Sequence, residues 1–351
     1  MGKNEHIFIK ACRRENTPRT PVWIMRQAGR YLPEYRQIRE KSDFLTMCKT
    51  PEIASEVTIQ PVDIIGVDAA ILFSDILVVP EAMGMKLELI ESVGPKFANP
   101  IRTASQVQDL NIPIIEEKLS FVLEAIKLTK KRLDGCVPLI GFCGSPWTLA
   151  TYMLEGSGSK DFKYIKGLIY SDPKLAHKLL DKLSNVLTGY LNAKIKAGCD
   201  AVQIFDTWGG ILTPWAYKEF SLKYIKKIIS GLNTDGAPVI VFSKGANHSL
   251  GDIAKSGCDV VSVDWTVNIK KVRRKIGKKV AVQGNMEPLI LNAPLDKIKA
   301  EVEKILKQYG KGPGHIFNLG HGITPDIPVE NVKFFVNAVK ELSIQYHNET
   351  D

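Results

Sequence analysis

A phrase written three times constrains this chain most. Gly66-Val-Asp-Ala-Ala-Ile-Leu-Phe-Ser-Asp75, Gly198-Cys-Asp-Ala-Val-Gln-Ile-Phe-Asp206 and Gly257-Cys-Asp-Val-Val-Ser-Val-Asp264 share one grammar. The glycine closes a helix in the left-handed conformation, an Asp makes the turn, a short β-branched strand follows, and a second Asp ends it. Such near-continuous apolar runs are the pattern of parallel strands buried on both faces.

Five further short apolar runs complete a set of eight: Pro21–Met25, Pro138–Phe142, Pro238–Phe242, Val280–Gln283 and His315–Leu319. Amphipathic stretches separate most of them. Ser171-Asp-Pro173 opens a long one with a cap and an early proline, and Gly198 closes it. Eight strands alternating with helices predict an α/β fold of the (β/α)8 TIM-barrel type. An open dinucleotide-binding sheet is disfavoured, because no GxGxxG follows an early strand. No linker, low-complexity stretch or composition break divides residues 1–351, so one domain is expected.

The chain has 351 residues, 44% of them hydrophobic, enough for a large core. Its polar amino-terminal stretch MGKNEHIFIKACRREN has the form of neither a signal peptide nor a transit sequence. No apolar run is long enough to span a bilayer, so no membrane partner is expected. Six dispersed cysteines without a CxxC pair predict reduced thiols and a cytoplasmic location. The net charge of +9 would suit nucleic acid, but seven basic residues fall in KKVRRKIGKK, 270–279. That run reads as a solvated helix end and turn, so no nucleic-acid partner is expected.

In a barrel of this kind the active site lies at the carboxyl ends of the strands. The candidates there are Arg26 and Arg30, Asp75, the Cys143-Gly-Ser-Pro-Trp147 turn, Asp206-Thr207, Ser243-Lys244, Asp264, Asn285 and Gly320-His-Gly322. Each arginine offers a planar fork suited to a carboxylate or phosphate, unless Glu34 or Asp43 takes it in a salt bridge. Ser145 reads as a helix N-cap with Pro146 at the first helical position, opening free N–H groups toward the mouth, as a carboxylate requires. Tyr152, about two turns into that helix, either packs or touches a ligand. Asp75, Asp206 and Asp264 share one geometry, and pattern does not rank them. His321 lies between two glycines, where backbone can approach a ligand, although a loop histidine alone is more often incidental. There is no HExxH, Cys-rich cluster, Walker sequence or GxSxG elbow. The residues point to a barrel enzyme for a polyanionic organic substrate, without a metal.

Two longer motifs carry a resemblance. Pro21-Val-Trp-Ile-Met-Arg-Gln-Ala-Gly-Arg-Tyr-Leu-Pro33 and Gly141-Phe-Cys-Gly-Ser-Pro-Trp-Thr-Leu-Ala-Thr-Tyr152 are similar to the two signatures of the uroporphyrinogen decarboxylase family. Phe73-Ser-Asp75, Phe205-Asp-Thr207 and Asn318-Leu-Gly-His-Gly-Ile323 extend the resemblance over essentially the whole chain. It implies a single (β/α)8 barrel, a homodimer and no cofactor. The implied reaction removes carboxyl groups from the four acetate arms of uroporphyrinogen, giving coproporphyrinogen on the haem pathway. By motif, Arg26, Gln27, Ala28, Gly29 and Arg30 would bind substrate carboxylates, and Asp75 would face the pyrrole N–H groups. Tyr152, Thr207 and His321 would complete the pocket, with Asp75, Arg26, Arg30, Tyr152 and His321 taking part in catalysis. Thr207 keeps the hydroxyl that family members place there as Ser or Thr. The proton donor is left open. Two rivals share some of these features. Zinc-dependent methyltransferases on the same barrel need a His-x-Cys motif, which His248-Ser-Leu250 lacks. A tetrapyrrole carrier would use the same arginines only to hold its ligand.

Overall fold

In the computed structural model, which describes residues 6–90 and 94–347, the first Asp of each repeated phrase clamps the strand before it. Asp68 N–H donates to Val22 O at 2.8 Å, and its Oδ2 accepts from Val22 N–H at 2.8 Å. Asp200 does the same to Leu139, at 2.8 Å each way. Asp259 does it to Val239, at 2.9 and 2.8 Å. An N–H at the buried start of a strand needs an acceptor, and the carboxylate supplies it. The clamp aligns each strand pair as the chain leaves Gly66, Gly198 or Gly257, whose φ angles of +75°, +122° and +96° favour glycine.

The strands are β1 (Ala70–Ile71), β2 (Leu87–Ile90), β3 (Gly94–Phe97), β4 (Leu139–Gly144), β5 (Ala201–Asp206), β6 (Val239–Ser243), β7 (Val260–Ser262), β8 (Ala281–Gln283) and β9 (His315–Ile316). Seven form a parallel sheet in the order β1-β4-β5-β6-β7-β8-β9. The expected first strand, Pro21–Met25, lies between the two edges as the eighth stave. It pairs through a single bridge, Val22 with Phe317. Phe317 N–H donates to Pro21 O at 2.8 Å, Trp23 N–H to Phe317 O at 3.3 Å, and the Asp68 clamp holds the other side. The stave is short because Pro21 has no N–H and Met25 N–H turns to Asn318 Oδ1 at 3.0 Å. Closure abolishes both sheet edges, making a (β/α)8 barrel. The last expected strand is also shortened to His315–Ile316, with bridges at Phe317 and Leu319. The antiparallel hairpin β2–β3 lies outside the barrel and has no counterpart in the sequence reading.

Two layers fill the barrel beneath the mouth. In the lower, Trp23 Nε1 donates to Gln283 Oε1 at 2.9 Å, and Gln283 Nε2 reaches Gln203 Oε1 and Ser262 Oγ at 3.2 and 3.0 Å. Two residues up from Gln203, Phe205 meets Phe142 and Phe242 edge-on, with centroids 5.5 and 6.0 Å apart. This aromatic layer forms an apolar floor for the mouth.

The outer helices follow their punctuation. Asp172 caps the long helix Pro173–Ala197 through Leu175 N–H at 3.0 Å, and Gly198 ends it. Of the basic run, Lys270, Lys271, Arg274, Lys275, Lys278 and Lys279 are exposed, as expected of a solvated face. Arg273 instead donates to the carbonyls of Tyr309 and Lys311. Cys12, Cys48, Cys143, Cys199 and Cys258 are buried and Cys136 is exposed, all as free thiols. Among the described residues no helix is long and apolar enough to cross a membrane.

Candidate active site

Asp75 is positioned by the end of β1. Leu72 N–H still donates to Ile140 O, but Phe73 N–H turns aside to Thr58 Oγ1 at 2.8 Å, so the ladder stops there. Asp75 Oδ1 then accepts from Leu77 N–H at 2.7 Å, a local turn before the helix Val78–Ala82. Among the described residues Oδ2 has no hydrogen-bond donor. Desolvation raises the pKa of this half-buried carboxyl, opposed by the Leu77 N–H and by the Arg26 guanidinium.

The other two aspartates are fully engaged. Asp206, completely buried, accepts from four hydroxyls: Ser145 at 2.6 Å, Thr148 at 3.2 Å, Ser221 at 2.8 Å and Ser243 at 3.0 Å. Ser145 also caps its helix, Pro146–Glu155, by accepting from Thr148 N–H at 3.0 Å. Asp206 thus meets that helix start through the hydroxyls of Ser145 and Thr148, not through its N–H groups. Asp264 is also buried; it accepts from Gly245 N–H at 2.6 Å, Asn247 Nδ2 at 3.2 Å, Thr266 N–H at 2.9 Å and Thr266 Oγ1 at 2.5 Å. Asn285 is a brace too, donating to Asp264 O and Val267 O at 2.8 Å each. Of the three aspartates pattern left equal, Asp75 alone keeps an oxygen for a ligand.

Arg26 turns the loop that leaves the first stave, with φ +64°. Gln27 holds the turn from inside: its Oε1 accepts from Ile24 N–H at 3.1 Å and its Nε2 donates to Ala69 O at 3.0 Å. Gln27 is fully buried and its own N–H donates to Ile24 O at 2.9 Å, so it braces the turn and offers no surface to a ligand, contrary to the substrate-binding role expected for it. A Cβ on Gly29 would stand 2.9 Å from Arg26 O, so glycine lets the turn close, with Ala28 and Gly29 half-buried. Arg26 and Arg30 are exposed, and neither forms an ion pair among the described residues. Asp43 instead caps its own helix through Leu45 and Thr46 N–H. Both guanidinium forks are thus left without a paired carboxylate, which suits an anionic ligand.

The two glycines around His321 make room for side chains. A Cβ on Gly322 would lie 2.3 Å from Arg26 Cδ, and one on Gly320 would lie 2.5 Å from Trp265 N. Arg26 thus lies along one flank of His321 and Trp265 along the other. The His321 ring tilts over Phe242 at 6.1 Å, at the edge of the aromatic floor. Desolvation, with Arg26 and Lys244 nearby, lowers its pKa to about 4, so the ring is neutral at pH 7. Lys244 extends over Trp265, with Nζ 5.9 Å from the ring centroid and no ion pair among the described residues.

Tyr152 is half-buried, its ring 6.1 Å from that of Trp208. Desolvation raises its pKa, as does Asp75, while Arg26 lowers it. Asp75, Arg26, Tyr152 and His321 therefore share one electrostatic neighbourhood. Thr207 is half-buried at the end of β5. Arg30 stays in solvent beyond this group, its carbonyl accepting from Arg36 Nη1 at 2.8 Å. The sequence reading missed the aromatic floor. Its signal was a Phe repeated near the ends of three neighbouring strands: Phe142, Phe205 and Phe242. A cavity of about 180 Å³ lined by Arg13, Cys199, Asp200 and Asp235 lies by the strand starts, away from this chemistry. Among the described residues no three His, Cys, Asp or Glu side chains group as metal ligands.

Comparisons with known proteins agree with the motifs. The family profile described as uroporphyrinogen decarboxylase (URO-D) matches residues 3–342. A uroporphyrinogen decarboxylase of Chlorobium phaeovibrioides is 54% identical over 352 residues, covering 99% of this chain and 100% of its own. One of Chlorobaculum tepidum is 53% identical with the same coverage. Among solved structures, a methyltransferase from Methanosarcina mazei superposes with a TM-score of 0.82 at 24% identity, over 95% of this chain and 97% of its own. A B12-independent methionine synthase from Shewanella sp. W3-18-1 gives 0.56 at 13% identity, over 84% and 86%. At those identities the structural likeness carries the barrel alone. Matched by the family profile along nearly its whole length, and by relatives at more than half identity, the chain belongs to the uroporphyrinogen decarboxylase family of carboxy-lyases.

Proposed function

We propose that this chain, acting as one barrel domain, decarboxylates the four acetate arms of uroporphyrinogen to methyls, giving coproporphyrinogen in haem biosynthesis. The observation that carries this reading is the free oxygen of Asp75 near the exposed Arg26 guanidinium, which makes no ion pair among the described residues, at the mouth of a family barrel. Uroporphyrinogen carries eight carboxylates around a ring of four pyrrole N–H donors. Arg26 and Arg30 meet the first and Asp75 the second.

The substrate is its own electron sink, so no cofactor is required. A proton adds to the α ring carbon next to the one that bears an acetate arm, leaving an iminium-like cation conjugated to that arm. The bond to the carboxyl carbon breaks, CO2 departs, and its electron pair enters the ring as an exocyclic double bond. Protonation of that methylene gives the methyl, and loss of the ring-carbon proton restores the pyrrole. Each arm thus consumes one proton and releases one CO2. The protein binds, orients and stabilises positive charge in a desolvated site. Asp75 accepts from the pyrrole N–H groups as that charge develops. Neutral His321 and Tyr152 complete the polar rim with Thr207, above the apolar floor.

The test is anaerobic incubation with uroporphyrinogen and chromatography of the oxidised products. Coproporphyrin should appear, and thorough chelation and dialysis should leave the rate unchanged. Bound but unconverted substrate would favour a carrier; activity lost to chelation and restored by zinc would sink the cofactor-free reaction. The chain is read as a cytoplasmic homodimer, supported by its free thiols and by exposed Trp215 and Leu289 as apolar surface. Light scattering at monomer mass would remove the dimer.

Arg26→Lys and Arg30→Lys should each lower kcat/KM although charge is retained, because an ammonium cannot reproduce a bidentate fork. The loss of charge-assisted hydrogen bonds corresponds to about 2 kcal/mol per site. Wild-type kcat/KM in both variants would make these arginines structural.

A further inference from the structure

We infer that Lys244 anchors a substrate carboxylate on the wall of the barrel facing Arg26, a placement that rests on the uroporphyrinogen reading above. In the closed order of staves, Lys244 leaves β6 and Arg26 leaves the Val22 stave. With β7, β8 and β9 between them on one side and β1, β4 and β5 on the other, the two residues leave diametrically opposed staves. Arg26 and Arg30 belong to one loop on one wall. A ring with carboxylates on every side, held from that wall alone, would leave its far arms desolvated and unpaired.

The backbone around Lys244 is built to hold it there. Lys244 N–H donates to Asp206 O at 3.2 Å, and Lys244 O accepts from Gly210 N–H at 2.9 Å. A Cβ on Gly210 would lie 2.5 Å from that carbonyl, so glycine permits the contact. Gly245 N–H is fixed by Asp264 Oδ2 at 2.6 Å. The engaged aspartates thus belong to the framework that presents this lysine. Its side chain extends over Trp265, which covers Gly320 next to His321, so Lys244 reaches the His321 loop across Trp265 while Arg26 reaches it at Gly322. An ammonium on a flexible stem takes a carboxylate from either arm length without a fixed angle. That tolerance suits a ring that must be presented four times with a different arm at the reacting position.

The experiment compares Lys244→Met and Lys244→Arg with wild type on uroporphyrinogen, reading KM, kcat and released intermediates with seven, six and five carboxylates. In Lys244→Met, KM should rise about tenfold, the loss of one charge-assisted contact. We expect kcat to change less than about twofold, intermediates to accumulate, and Lys244→Arg to recover most of the affinity. The His321 ring proton should also titrate at higher pH in Lys244→Met, because a neighbouring cation has gone. Lys244→Gln gives the same comparison should the Met variant fold poorly. Wild-type KM and intermediate pattern in the neutral variant would overturn the anchor while leaving the decarboxylase reading intact. If wild type does not convert uroporphyrinogen, both fall together.

Discussion

Asp75→Asn is expected to lower kcat by about a hundredfold to a thousandfold while the protein melts within a few degrees of wild type. Removing one preorganised electrostatic partner typically costs that much in turnover. Asparagine keeps the size and one acceptor for the Leu77 N–H, which holds Oδ1 at 2.7 Å in wild type. It removes the charge at Oδ2 and presents N–H donors toward the pyrrole N–H groups. Stability should change little, because no other described residue donates to this side chain. The pH profile supplies a second reading. Desolvation raises the Asp75 pKa in the free protein, so the acid limb of kcat/KM should lie above the ordinary carboxylate range near pH ~4. As pH falls through that raised value the carboxylate is protonated and stabilisation of the cation is lost. The limb should vanish in Asp75→Asn. Full turnover in that variant would remove charge at this position from the mechanism.

The barrel was legible because its signals are local. Glycine at a helix end, an Asp in the turn and a β-branched run lie within ten residues of one another, and the phrase repeats. The function of that Asp was not legible: Asp68, Asp200 and Asp259 grip Val22, Leu139 and Val239, which lie 46, 61 and 20 residues away. The first stave was found by its apolar run, yet its shortness depends on Asn318, from the other end of the chain. The hairpin β2–β3 escaped notice although Met85-Lys86-Leu87-Glu88-Leu89 alternates, because its partner strand is short and interrupted by Pro95.

The site divided in the same way. Residue types at strand ends gave Arg26, Asp75, Thr207 and His321, because a barrel fixes where strand ends point. Ranking Asp75 above Asp206 and Asp264 required their partners, and those of Asp206 come from three different segments. Ser145 and Thr148 lie on one helix, Ser221 on a π-helical turn at Lys218–Leu222, and Ser243 at the end of β6. A π-turn shifts the facing of its residues, which no periodicity count foresees. The glycines beside His321 read as places where backbone approaches a ligand; the groups that approach them in the structure are Arg26 and Trp265.

Asp206→Ala should show the converse of Asp75→Asn, with stability lost and chemistry per folded molecule largely kept. Ser145, Thr148 and Ser221 are at most barely accessible to water, and each donates its hydroxyl to this one carboxylate, as does Ser243. Alanine strands four buried hydroxyls and opens a small void. A single unsatisfied group costs about 1–3 kcal/mol, but some hydroxyls can turn to one another. The expected net loss is therefore about 4 kcal/mol, at the upper end for a point substitution. Asp206→Asn should lose only about half as much, because one acceptor oxygen remains and serine hydroxyls can accept from the amide. Thermal or urea unfolding reads both values. Initial rates measured well below the melting range should stay within about tenfold of wild type, since Asp206 has no oxygen left for substrate. The paired outcome separates two residues of identical type at equivalent strand ends. If Asp206→Ala melts like wild type yet loses turnover, the buried carboxylate is the reacting one, and the mechanism must be rebuilt around it instead of Asp75.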